Sequence, residues 1–168
     1  MKKIFFVSAL LSFFLDWAFL PFLNVGFLQL NLLFLISLSA GLLLDFNEAI
    51  LIVFLSGFLY GSFSLIGTGA GIFVFLSSFF VIFLIQKIIA LTTEGFFLTF
   101  FYFFVGRLVF EFTLTILNSL AFIRLDKETF FWSASFFQAL FSGFFGWLIF
   151  VILKKRQEQI FEKGKIYV

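Results

Sequence analysis

The sequence predicts an all-α polytopic membrane protein, a bundle of six transmembrane helices with both termini in the cytoplasm. Three observations predict it. First, apolar residues make up 63% of the 168-residue chain and charged residues only 12%, with a mean hydropathy of +1.21. A soluble domain is nearer half apolar and a quarter charged, and a water-soluble fold of this size could not hide so much apolar surface. Second, the apolar residues gather into runs long enough to cross hydrocarbon, which takes roughly 20 residues. Third, the few polar residues inside those runs recur at helical spacing.

The six runs cover about 4–23, 27–44, 49–66, 71–91, 96–123 and 130–153. Pro21 and Asn24-Val25-Gly26 end the first. Asp45-Phe46-Asn47-Glu48 separates the second from the third, and Asn47 is positioned to cap the third helix with Glu48 in its first turn. Gly67-Thr68-Gly69-Ala70-Gly71 reads as a permissive turn. Thr93-Glu94-Gly95 opens the fifth helix, and Arg124-Leu125-Asp126-Lys127-Glu128 the sixth. The division expected is therefore a transmembrane domain over 1–153 and a short basic cytoplasmic tail over 154–168. A signal peptide at the start is the rival reading. Asp16 argues against it, because it interrupts the apolar region, and no small-x-small cleavage site follows.

Orientation follows from Lys and Arg near the spans. Lys2, Lys3, Lys87, Lys154, Lys155, Arg156, Lys163 and Lys165 fall on the side of the termini. Arg124 and Lys127 fall on the other side, and Arg107 lies within a span. That imbalance predicts cytoplasmic termini. The basic stretch after the last span reads as a topology anchor that also suits anionic lipid.

Polar stripes argue that the six helices form one bundle. Ser8, Ser12 and Asp16 share a face of the first helix; Ser56, Tyr60 and Ser64 share a face of the third. Arg107, Glu111, Thr115 and Asn118 line the fifth, and Ser135, Gln138, Ser142 and Gly146 the sixth. Gly57 and Gly61 make the small-xxx-small pattern that lets two backbones approach, serving either internal packing or a partner helix. Asp16, Arg107 and Glu111 cost at least ~2.5 kcal/mol each inside a bilayer. Arg107 and Glu111, four apart, can pair, and Asp16 is expected to join them across helices. The cluster reads either as an ion pair fixing register or as a docking or ligand site.

No Cys or His is present, which removes thiolate nucleophiles, imidazole bases and the commonest zinc ligands. No phosphate-binding loop, zinc-protease helix or nucleophile elbow occurs. The expectation is a protein that is not an enzyme, with no cofactor, no metal and no nucleic-acid partner.

Three passages carry a family resemblance. They are Leu28-Gln29-Leu30-Asn31-Leu32-Leu33-Phe34-Leu35, the glycine-rich stretch from Gly57 to Gly71, and the close from Gly146 through Lys154-Lys155-Arg156. Together they resemble the bacterial rod shape-determining protein MreD family over nearly the whole chain. The chain departs from the family pattern at Leu30, where a proline is usual, and at Gly61 and Ser62, where an aspartate is frequent. The role of that aspartate does not transfer. The resemblance implies a non-catalytic scaffold of the cell-elongation machinery in the cell inner membrane. It would act in cell shape and lateral peptidoglycan synthesis, with an MreC-like membrane protein, an MreB-like cytoskeletal protein and cell-wall synthases as partners. Gly57 and Gly61 would give close contact in lateral docking, and Asp16, Asn31, Arg107 and Glu111 polar specificity. The chain also resembles the substrate-binding membrane component of energy-coupling-factor vitamin transporters, through its six spans and through Ser8 and Ser12. Short apolar loops that could hardly enclose a polar vitamin weigh against that alternative.

Overall fold

The computed structural model describes residues 2–18, 31–64, 67–89, 95–120 and 132–165. Among them are six α-helices: α1 (Lys2–Ala18), α2 (Leu32–Leu43), α3 (Phe46–Phe63), α4 (Thr68–Ile89), α5 (Phe96–Leu120) and α6 (Trp132–Lys165). Four of these, α3 to α6, are long and apolar enough to cross a membrane. α1 is described over 17 residues; α2, bounded by Asn31 and Leu44, has only 12 and falls short of its expected span. The stretches containing Pro21, Asn24 to Gly26, Thr93, Glu94 and Arg124 to Glu128 lie outside the described residues, as does the end of the first expected span.

α2 is the centre of the bundle and touches all five other helices. At about 1.5 Å per residue it is roughly 18 Å long, well under the ~30 Å of hydrocarbon. Burial makes so short a helix tolerable. Leu33, Phe34, Leu35, Ser37, Leu38, Ser39 and Ala40 are all buried. Its serines need no partner elsewhere: Ser37 Oγ donates to Phe34 O and Ser39 Oγ to Leu35 O, both at 2.8 Å. The core around it joins Val53 of α3, Val74, Phe75 and Phe79 of α4, Phe103 and Phe110 of α5 and Phe150 of α6.

Around this axis α3 packs on α4, α4 on α5 and α5 on α6, while α1 lies against α2 and α3. The Ser77 hydroxyl of α4 donates to Thr113 Oγ1 of α5 at 3.3 Å. The stripes face inward as their spacing predicts: Ser12, Ser56, Arg107, Ser135 and Ser142 are buried. The outward faces carry Phe and Leu, among them Phe54, Phe58, Phe97, Phe112 and Phe137.

Three local expectations change. α3 is capped by Asp45 rather than Asn47. The Asp45 carbonyl accepts from Glu48 N–H at 3.0 Å and Ala49 N–H at 2.9 Å, so the helix starts before Asn47. Of the run 67–71, only Gly67 lies outside a helix, at φ 83°. Gly69 and Gly71 already belong to α4, because the Gly71 N–H finds the Gly67 carbonyl at 3.0 Å. Finally, α6 does not stop near 153 but runs on to Lys165, so the change at Lys154 is chemical and not a break in the helix.

Candidate functional site

Both ends of α2 are held by side chains from other parts of the chain. A helix leaves its first amides without helical acceptors, and inside a bilayer each such group would cost several kcal/mol. Here Leu32 N–H donates to Asp16 Oδ1 at 2.9 Å and Leu33 N–H to Asp16 Oδ2 at 2.7 Å. Phe34 N–H donates to Oδ1 of Asn31, the N-cap residue, at 2.8 Å. At the other end Gln157 Nε2 of α6 donates to Leu43 O at 3.4 Å. Asn31 thus acts as a helix cap, in extended backbone at φ −110° and ψ 91°. This is why α2 starts later than its apolar run.

Beside that helix start lies the charged pair. Arg107 of α5 is 3% exposed. Its Nη2 makes an ion pair with Glu111 Oε1 one turn on and donates to Gln138 Oε1 of α6 at 3.0 Å. The guanidinium carbon sits 4.9 Å from the centroid of the Phe110 ring, a cation–π distance. Arg107 Nε and Nη1 are buried with no hydrogen-bond partner. The Glu111 side chain is 17% exposed, so the pair has one enclosed and one partly open member.

Asp16 does not join the pair as expected. Its two oxygens are taken by backbone amides of α2, and its link to Arg107 is electrostatic only. Tyr60 of α3 lies within electrostatic reach of Arg107, Glu111 and Asp16. Its ring packs on Phe75 at 5.5 Å and Phe110 at 5.7 Å. Phe34 meets Phe75 at 5.7 Å and Phe110 at 4.9 Å in edge-to-face geometry. These four rings pack against the same face as the charges, at about 0.5–1.5 kcal/mol per aromatic pair. Asp16, Asn31, Tyr60, Arg107, Glu111 and Gln138 therefore tie α1, α2, α3, α5 and α6 together. With one cation and two carboxylates the cluster has a formal charge of −1.

Gly57 and Gly61 are elsewhere, at the α3–α4 contact. A Cβ on Gly57 would stand 2.7 Å from Ile72 Cα and 2.9 Å from Gly71 O. One on Gly61 would stand 2.6 Å from Gly67 O, and one on Gly71 2.5 Å from Gly61 Cα. These contacts are with backbone, so the small-residue seam is filled by the chain's own α4. The choice left open by the sequence falls to internal packing, and lateral docking through Gly57 and Gly61 has no free surface to use.

Sequence reasoning placed Gln138 and Tyr60 on inward stripes without joining them to the charges. Gln157 carried no signal, since a glutamine just past a span looks like any interfacial residue. Fold and cluster together define the class: an all-α, multi-pass membrane protein with a charged cluster among its helices. No protein-family model matches the chain, and neither a curated protein nor a solved structure matches it.

Proposed function

We propose that the protein is a non-catalytic integral membrane scaffold of the bacterial cell-elongation machinery. In this reading it sits in the cell inner membrane with both termini cytoplasmic. It governs cell shape and lateral wall synthesis together with an MreC-like membrane protein, an MreB-like filament protein and cell-wall synthases. The observation that carries the reading is the partly open Glu111 carboxylate. Arg107, itself bonded to Gln138, pairs with it, while Phe112 and Ile116 on the same helix face outward. A carboxylate held at an apolar helix surface suits a hydrogen-bond donor on a partner's transmembrane helix. Asp16 and Asn31 keep the central helix in place behind it. Gly57 and Gly61 contribute rigidity, by locking α3 to α4, in place of direct contact.

Depletion followed by microscopy tests the proposal. Rods that round up, together with loss of the MreC-like partner from pull-downs of a Glu111→Gln variant that still folds, are the expected results. Normal rods on depletion would overturn it. The vitamin-carrier alternative draws on a different observation, the two unpartnered nitrogens of Arg107, which a polar ligand could occupy. Tight binding of a vitamin to the purified chain would favour that reading over the scaffold.

A further inference from the structure

α6 has one outward face along most of its length, and that face changes chemistry abruptly. Phe141, Phe145 and Ile152 lie along it, all exposed, with Ile152 at 60%. Phe141 and Phe145 stack with centroids 6.4 Å apart. Lys155 and Arg156 follow Ile152 by three and four residues, so they continue the same face one turn further. Both are exposed. Glu158 is also exposed nearby and Lys154 is half-buried, yet among the described residues no ion pair joins Lys155 or Arg156 to a carboxylate. From Ala134, where the apolar span of α6 begins, to Lys155 the helix rises about 32 Å, close to the ~30 Å of hydrocarbon. A helix that enters at Ala134 therefore brings Lys155 and Arg156 out at the depth of the lipid phosphates.

On the other side, α6 is pinned. Leu153 is buried with Phe5, Ala40 and Ile52, and Gln157 bonds the end of α2. Rotation of α6 is thereby fixed, and the two cations are held toward lipid. We propose that Lys155 and Arg156 form a binding site for the headgroup phosphate of an anionic phospholipid, with its acyl chains along Ile152, Phe145 and Phe141. An apolar row ending in two adjacent exposed cations matches an amphiphile that is itself apolar above and anionic below. The site concerns lipid and is independent of any protein partner at Glu111.

Native mass spectrometry of the purified full chain, loaded with phosphatidylglycerol or phosphatidylcholine, tests the site. The wild type is expected to retain phosphatidylglycerol preferentially. Lys155→Gln with Arg156→Gln should cut that retention about thirtyfold and leave phosphatidylcholine unchanged, whereas Lys87→Gln, an exposed cation at the end of α4, should change neither. Equal retention of both lipids by the wild type, or undiminished phosphatidylglycerol on the double variant, would overturn the proposal. Should the double variant fail to fold, salt decides the matter on the wild type. Retention must fall steeply between about 0.1 M and 1 M salt, where charges at this exposure are screened; indifference to salt defeats the site.

Discussion

Asp16 of α1 receives the amide of Leu33 at 2.7 Å and that of Leu32 at 2.9 Å, so one carboxylate closes the start of another helix. Replacing Asp16 with Ala leaves two partly buried amides without acceptors. Hydrogen bonds to charged groups contribute about 1.5–3 kcal/mol each, so Asp16→Ala should destabilise by about 3 kcal/mol or more. Asp16→Asn keeps one acceptor oxygen and should lose about half as much. Thermal unfolding in detergent checks the order; equal stability of the Ala variant and the wild type would contradict it.

Arg107 and Glu111 should behave as a coupled pair. Arg107→Ala leaves the Glu111 carboxylate without its cation, and breaking a buried pair from one side costs about 3–5 kcal/mol. Adding Glu111→Gln removes the stranded charge. The double variant should therefore be more stable than Arg107→Ala alone, with a coupling above about 1 kcal/mol in a double-mutant cycle. Simple additivity would show that the two side chains act separately.

Glycines along the α3–α4 hairpin should divide sharply. Gly61→Ala and Gly71→Ala force a methyl group into backbone on the opposite helix, an overpacking that costs about 1–3 kcal/mol. Gly69 faces open space, and there an alanine should stabilise by up to about 1 kcal/mol through helix propensity. Unfolding midpoints of the three variants suffice; a loss at Gly69 matching that at Gly61 would refute the division.

Topology gives a fourth test. A reporter fused after Val168 should be active only if its folding compartment is the cytoplasm, and one inserted next to Lys127 only if it is the periplasm. A C-terminal fusion active solely outside the cytoplasm would reverse the orientation drawn from the basic residues.

The parts of this structure that could be read from the sequence are those written in side-chain spacing. Ser12, Ser56, Ser135 and Ser142 face inward because residues three and four apart share a helix face, and the Arg107–Glu111 pair follows from the same geometry. Asp16 was recognisable as an expensive residue but not as a cap. Its partners are backbone amides, which every residue but proline carries, so no side-chain pattern points to them. The shortness of α2 was hidden for a related reason: the run from 27 to 44 is apolar apart from Gln29, Asn31, Ser37 and Ser39, and hydropathy does not register that the helix begins only after Asn31. Gly57 and Gly61 announced a close approach without naming the neighbour, since the pattern is the same for a helix of this chain and for one of another.

The central position of α2 has a consequence for biogenesis. A 12-residue helix is too brief to be stable alone in lipid, and it is stabilised by α1, made before it, and by α6, made later, whose Gln157 follows Leu43 by 114 residues. Until α6 emerges from the ribosome and turns its Gln157 toward Leu43, α2 has an uncovered flank and an open Leu43 carbonyl. The protein's interior can therefore be sealed only after synthesis has passed α6, and a ribosome stalled before that helix would leave a nascent product that quality-control proteases should recognise.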